Sequence, residues 1–67
     1  MTGVVRTLMQ DKGYGFIRGT DGVDRFFLWS SMMPPVKFAD LQPGLTVEFE
    51  HEEGPKGARA SAVRVVR

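Results

Sequence analysis

The residues best suited to chemistry are aromatic side chains grouped in two short segments. Residues 12–17 read Lys-Gly-Tyr-Gly-Phe-Ile, and residues 24–29 read Asp-Arg-Phe-Phe-Leu-Trp. On a β-strand, Tyr14 and Phe16 point to one face and Ile17 to the other. Two exposed rings beside a lysine suit stacking on bases, because every base has a π-face and every phosphate attracts a cation. The glycine between the rings is expected to leave room for a flat ligand.

The second segment is predicted to continue the same surface. Alternation places Phe26 and Leu28 on one face of a strand. Arg25 and Phe27 then point to the other face, where Phe27 is expected to join the core. Phe26 would extend the row of rings, and Trp29, at the end of the strand, would flank it. The two segments together predict a site for single-stranded nucleic acid.

Two side chains in or near these segments need separate treatment. Phe38 lies in a stretch without strand periodicity, where a ring has a less obvious role in a core. For Phe38 and Trp29 both a core role and a binding role stay open, and we favour binding. Arg25 shares a strand face with Phe27, which is expected to be buried. Burying an unpaired guanidinium is costly, so its head must reach solvent or find a partner, which the sequence does not name.

The elements that must position these residues are short strands between turns. Glycine combines with Pro, Asp or Thr around residues 11–13, 19–22, 42–44 and 54–57, which predicts turns. The runs between them are rich in β-branched and aromatic residues and predict strands at 4–9, 14–18, 24–28, 46–52 and 58–66. Residues 29–41 predict a long loop with a short helical turn near 30–33. The fold class is all-β: a five-stranded antiparallel barrel with a long loop between strands 3 and 4.

Composition narrows the possible functions. The chain has 67 residues, no cysteine and a net charge of +1. This length predicts one domain, residues 1–67, whose core depends on hydrophobic packing alone. The near-neutral charge argues against duplex binding driven mainly by charge. No apolar run predicts a signal peptide or a membrane span, so a cytoplasmic location without a membrane partner is expected.

Catalysis finds no support in the sequence, which predicts a protein that is not an enzyme. His51 is the only histidine and has no partner by spacing. Glu50 and Glu52 fall on one strand face and are expected in water, opposite Val47 and Phe49. No motif indicates a metal site, a cofactor or a small-molecule substrate.

The sequence resembles the bacterial cold-shock proteins over essentially its whole length. The matching stretches are residues 3–6, 12–17, 21–22, 24–30, 38–41, 44, 47–50 and 54–63. The resemblance implies an OB-fold barrel that binds single-stranded DNA or RNA and acts as a nucleic-acid chaperone. It implies base stacking at Tyr14, Phe16, Phe26, Trp29 and Phe38, and polar contacts at Arg6, Lys12, Asp24 and Lys56. Arg59, just beyond the last hairpin turn, is expected to touch phosphate.

The chain also departs from that family at binding positions. The family usually has Trp-Phe-Asn where this chain has residues 7–9, Thr-Leu-Met, and a histidine where Leu28 stands. Each base stack contributes roughly 1–3 kcal/mol, so the chain is predicted to bind more weakly or with altered preference. The alternative interpretation is a protein-interaction barrel that uses the apolar residues 32–35. Arg64 and Arg67 are expected to be solvated, and the barrel to be a monomer or a strand-swapped dimer.

Overall fold

The computed structural model describes residues 1–66. Its strands are β1 (Thr2–Met9), β2 (Tyr14–Gly19), β3 (Asp24–Leu28), β4 (Thr46–Gly54) and β5 (Gly57–Val65). They close into a barrel in the order β1-β2-β3-β5-β4. The five predicted strands are thereby confirmed, and no strand end differs from its predicted position by more than two residues.

The predicted fold class is confirmed, and the barrel is antiparallel in all but one of its strand pairings. Strands β1 and β2, β2 and β3, β1 and β4, and β4 and β5 pair antiparallel. The pairing that closes the barrel, between β3 and β5, is parallel and has Phe26 opposite Arg59. The long connection from β3 to β4 allows it, because β4 can start at the far side of the barrel and β5 then returns alongside β3.

The predicted loop between β3 and β4 contains two single turns of 3-10 helix, Trp29–Ser31 and Phe38–Asp40. The first corresponds to the helical turn expected near 30–33, and the Leu28 amide donates to Ser31 Oγ over 3.3 Å. Part of the apolar segment 32–35 packs down: Met32 contacts the core, and the Met33 amide donates to the carbonyl of Val63 over 2.8 Å. Met33 itself is 40% exposed.

The core forms inside the barrel from alternate strand residues. Its buried members are Val5, Ile17, Phe27, Phe38, Leu41, Val47, Phe49, Ala60 and Val63. Phe38, whose role the sequence left open, belongs to the core. Its ring is 8% exposed and lies 5.6 Å from the ring of Phe27, centroid to centroid. Strand periodicity could not reveal this, because the 3-10 turn that carries Phe38 folds over one end of the barrel.

The glycine between the two rings of β2 allows close packing inside the barrel and does not shape the outer face that carries the rings. Gly15 is buried, and a Cβ there would lie 2.4 Å from the Thr7 carbonyl oxygen and 3.0 Å from Phe27 Cε1. The missing side chain therefore points inward, away from the faces of Tyr14 and Phe16. The expectation that this glycine makes room for a flat ligand is wrong. It allows β1 and the Phe27 ring to approach β2.

Arg25 is buried, with 2% of its surface exposed, and its head is fully partnered. Asp21 accepts from Nη1 at 3.0 Å and from Nη2 at 2.6 Å, and His51 Nδ1 accepts from Nε at 2.7 Å. Nη1 also donates to the carbonyl of Val23, 3.2 Å away. The guanidinium carbon lies 5.3 Å from the centroid of the Phe49 ring. Burial is tolerated here because each nitrogen of the guanidinium donates to an acceptor and the group also lies near the π-face of Phe49.

The exposed face of β4 follows the predicted alternation, with Glu50 and Glu52 in solvent. Arg64 pairs with Glu48 across β4 and β5, so it is more than a solvated cation. Arg67 lies outside the described residues. Within residues 1–66, no helix is long and apolar enough to cross a membrane.

Candidate nucleic-acid interface

The outer face of β2 and β3 carries the aromatic residues of both segments. Pairing sets Tyr14 opposite Leu28 and Phe16 opposite Phe26. All four side chains share one face because their partners in alternation, such as Phe27, point into the barrel. The predicted facing of both strands is therefore confirmed.

The three rings on this face form one cluster. The Phe26 centroid lies 5.5 Å from that of Tyr14 and 5.7 Å from that of Phe16. Tyr14 and Phe16 meet edge to face, at 6.4 Å. Phe16 is 37% exposed, and the other two rings are half-buried. The cluster holds its rings in place by mutual contact, so a ligand would not have to order them first.

Trp29 stands at the end of β3 and is 65% exposed. Its amide donates to the carbonyl of Gly13 over 2.9 Å, which ties it to the turn before β2. A Cβ on Gly13 would lie 2.8 Å from Trp29 Cδ1, and the backbone φ there is +74°. Glycine thus allows the indole to lie against the turn that carries exposed Lys12. The predicted roles of Trp29 and Lys12 in binding stay predictions.

A groove runs from the ring cluster to the β4–β5 hairpin. Its volume is about 590 Å³, and its lining includes Phe16, Phe26 and Leu28 from the sheet. Lys56 and Arg59 line the opposite side. The Arg59 guanidinium carbon lies 6.0 Å from the centroid of the Phe26 ring. Two cations therefore border the same groove as two exposed or half-exposed rings.

The remaining predicted site residues differ in their surroundings. Arg6 is exposed at the β1 bulge, and Asp24 is exposed on the outer face of β3. Arg18 Nε donates to the Asp24 carboxylate over 2.8 Å, and this hydrogen bond is the main reason that the pKa of Asp24 is lowered and that of Arg18 is raised. The ring of Phe38 is buried in the core, and Phe38 also lines a groove beside Trp29, so its predicted base contact stays a prediction.

The departures from the family pattern leave the β1 side of the surface without rings. Thr7 is exposed beside Phe16, and Met9 lies half-buried beside Tyr14. Leu8 is half-buried and packs against the core. The ring cluster is therefore bordered by short or aliphatic side chains on β1 and by Leu28 on β3.

Sequence reasoning did not find two contributors to this surface. Pro55 lines the groove with an apolar ring, and Arg18 forms an ion pair with Asp24. Both contributions depend on which strands are neighbours. Arg18 and Asp24 are direct cross-strand partners, and Pro55 reaches the groove because β5 lies beside β3. Within residues 1–66, no group of three or more histidine, aspartate or glutamate side chains is placed to hold a metal ion.

A closed five-stranded barrel with a cluster of outward rings beside cations defines the class of OB-fold proteins that bind nucleic-acid strands. The profile of the 'Cold-shock' DNA-binding domain matches residues 1–66. A cold shock-like protein of Thermotoga maritima is 44% identical over 66 residues, which are 98% of each chain. Cold shock-like protein CspJ of Salmonella typhi is 41% identical over 98% of this chain and 91% of its own. The major cold shock protein of Micrococcus luteus is 39% identical over 91% of each chain. The chain belongs to the cold-shock domain family and is a nucleic-acid-binding protein.

Proposed function

We propose that this protein binds single-stranded DNA or RNA by stacking bases on Tyr14, Phe16, Phe26 and Trp29, and that it acts as a chaperone that holds strands open. The ring cluster beside the cation-lined groove carries this proposal. Bases in a duplex are already stacked on each other, so exposed rings bind an unpaired strand in preference to a duplex. A protein that binds unpaired strands disfavours secondary structure by mass action.

Charged residues around the rings complete the proposed site. Arg6, Lys12, Lys56 and Arg59 would contact phosphates, and Asp24 would accept hydrogen bonds from base edges. Asp24 can do so only with the oxygen lone pairs that Arg18 leaves free, since Arg18 donates to both carboxylate oxygens. A base contact of Phe38 would require its loop to open, because the ring is buried against Phe27.

The proposed affinity is lower than that of a barrel with rings on β1. Thr7 stands directly beside Phe16, where a further ring would enlarge the stacking surface. Each missing stack removes roughly 1–3 kcal/mol, or about 5- to 100-fold in Kd. Trp29, with most of its indole in solvent, offsets part of this loss. We further propose that the protein is non-catalytic, works in the cytoplasm, and binds as a monomer or as a dimer that exchanges strands through the β3–β4 loop.

The test is a fluorescence titration that uses Trp29, the only tryptophan. A heptamer of oligothymidine should quench the indole in a saturable manner, and the affinity should fall with salt. Phe16→Leu and Phe26→Leu should each weaken binding by about 1–3 kcal/mol, because leucine fills the space without a π-face. Unchanged affinity in both variants would contradict the stacking mechanism.

A matched control comes from Val23→Ala, which changes an apolar residue that is 43% exposed and lies in the turn between β2 and β3. It should leave the titration unchanged. Exposed Met33 on the β3–β4 loop supports the second candidate, a protein-interaction barrel. No binding of either a DNA or an RNA heptamer at high micromolar concentration would favour that candidate instead.

A further inference from the structure

The side chains that line the groove beside Phe26 offer donors and no acceptors. Its apolar lining includes Phe16, Phe26, Leu28 and Pro55, and its polar side chains are Lys56 and Arg59. An ammonium and a guanidinium only donate hydrogen bonds. A base that enters the groove therefore meets favourable side-chain partners only through carbonyl oxygens and unprotonated ring nitrogens.

Arg59 differs from three other arginines of the barrel because its guanidinium has no acid partner. Arg18, Arg25 and Arg64 form ion pairs, with Asp24, Asp21 and Glu48 respectively. Among residues 1–66, no carboxylate oxygen lies within 4.0 Å of the Arg59 nitrogens. Glu52 is its cross-strand neighbour, but the Glu52 carboxylate accepts from Ser61 Oγ at 3.0 Å. The donors of Arg59 remain available to a ligand.

The stem of Arg59 packs on the β4–β5 hairpin. A Cβ on Gly54 would lie 2.6 Å from Arg59 Cδ and 3.1 Å from Cγ, so the arginine stem lies directly on the backbone of the hairpin. Its guanidinium carbon lies 6.0 Å from the centroid of the Phe26 ring. This contact directs the planar fork toward the ring on which a base would stack.

We infer that the Phe26–Arg59 groove prefers guanine over adenine and thymine. Guanine presents two acceptors, O6 and N7, on one edge, and the arginine fork donates to both. Adenine places an amino donor next to N7, so it sets a donor against one arm of the fork. Thymine offers only O4 on the corresponding edge. This inference rests on the proposed function, since the groove must first bind a strand.

The experiment uses heptamers of oligothymidine in which each position in turn carries guanine or adenine. Tryptophan quenching and the anisotropy of a 5′ fluorescein label give each Kd. Guanine should exceed adenine by about 5- to 100-fold in at least one position, the range of a bidentate arginine contact. Equal affinity for guanine and adenine at every position, with oligothymidine still bound, would overturn the inference and leave the proposed function intact. If no heptamer binds, the proposed function itself fails.

Variants at position 59 test whether Arg59 carries the preference. Arg59→Gln removes the guanidinium and its charge, so the guanine-to-adenine ratio should fall below about threefold. The slope of log affinity against log salt should also become shallower by about 0.7 if Arg59 neutralises one phosphate. Arg64→Gln, outside the groove and paired with Glu48, is the matched control and should keep the ratio of the wild type. A guanine preference that persists in Arg59→Gln would assign it to another residue and overturn the inference.

Discussion

Single residues of this barrel show how a charge is tolerated inside a small core. Arg25 points inward between strands, yet it meets the Asp21 carboxylate, His51 Nδ1, the Val23 carbonyl and the ring of Phe49. Because His51 Nδ1 accepts from Arg25, the imidazole proton lies on Nε2, which donates to Glu53 at 2.9 Å. Gly19 makes the arrangement possible, since a Cβ there would lie 2.4 Å from Arg25 Nη1.

Acid should unfold the barrel partly through Asp21. The hydrogen bond from Arg25 is the main cause that holds the pKa of Asp21 below its usual value, and the Val23 amide adds to it. A carboxyl group whose pKa is lower when folded stabilises the protein above its unfolded pKa, about 3.9, and this contribution is lost as the pH falls through the folded pKa. We expect the Tm of the wild type to fall as the pH is lowered below about 4. Circular dichroism melts from pH 7 to pH 2 measure it.

The variant Asp21→Asn tests the assignment. It should have a lower Tm than the wild type at pH 7, because the buried guanidinium loses its charged partner. It should also lose less Tm on acidification, with the remaining loss due in part to Asp24, whose pKa is lowered by Arg18. Asp11→Asn, at an exposed turn residue, is the control and should follow the wild type. An acid profile of Asp21→Asn that parallels the wild type at every pH would argue against this assignment.

The sequence predicted the need of Arg25 for a partner but not the partner itself. Asp21 is four residues away, across a turn, and pairs only because Gly22, with φ +82°, reverses the chain there. His51 is 26 residues away on β4, and it contacts Arg25 of β3 only once the strands have closed into the barrel. The spacing of residues along the sequence predicts neither the contact of Arg25 with Asp21 nor its contact with His51. Strand alternation was sufficient to place Phe26 outside and Phe27 inside.

At the scale of elements, Gly15 determines how closely β1, β2 and β3 approach each other. Gly15→Ala should destabilise the barrel by about 1–3 kcal/mol, because its Cβ would lie 2.4 Å from the Thr7 carbonyl oxygen and force β1 away from β2. Urea denaturation at 25 °C measures the change in the free energy of unfolding. Gly15 lies between Tyr14 and Phe16 on β2, so a shift of the backbone there should weaken binding together with stability.

A second glycine gives the control for this substitution. A Cβ on Gly22 would meet no atom within 4 Å, and the φ of +82° there lies in a region that asparagine tolerates. Gly22→Asn should therefore cost less than about 1 kcal/mol. If the two substitutions cost the same, close packing at Gly15 would not be what the barrel requires.

The elements were predictable where alternation or turn residues mark them. The strands met this condition, and so did the loop between β3 and β4. The position of Phe38 did not, because a ring on a single 3-10 turn has no periodicity to show which side is buried. The parallel pairing of β3 with β5 was not predictable from alternation either, since it depends on where β4 begins after the long loop that follows β3.

Across the whole molecule, acidic and basic side chains lie in different places, which the net charge of +1 does not show. Glu50, Glu52 and Glu53 are exposed on β4, which is not adjacent to β2 or β3 in the barrel. Lys56 and Arg59 lie beside the ring cluster instead. None of these three glutamates lines the groove, so a near-neutral chain still offers a groove lined by two cations. Glu52 is the cross-strand neighbour of Arg59, and its carboxylate accepts from Ser61 Oγ.

Ligand binding should raise the thermal stability of this small barrel. Sixty-seven residues without a disulfide give a marginal core. A single-stranded oligomer at 100 times its Kd stabilises the folded state by about 2.7 kcal/mol, which for a domain of this size raises the Tm by about 10–20 °C. Differential scanning fluorimetry with a heptamer measures the rise. A hairpin whose stem stays paired above the Tm of the protein should raise the Tm much less, and equal rises for both would contradict a preference for unpaired bases.

The proposed binding site lies on the parallel pairing of β3 with β5, which closes the barrel. Phe26 and Arg59 are opposite each other in this pairing, and both line the groove. Few strand residues pair there, so local opening should begin between these two strands, where backbone amides would exchange their hydrogens with solvent soonest. On the proposed binding mode, a strand of nucleic acid across Phe26 and Arg59 would bridge the two edges. We therefore expect occupancy of the groove to slow the opening of the barrel, and each opening event to release the bound strand.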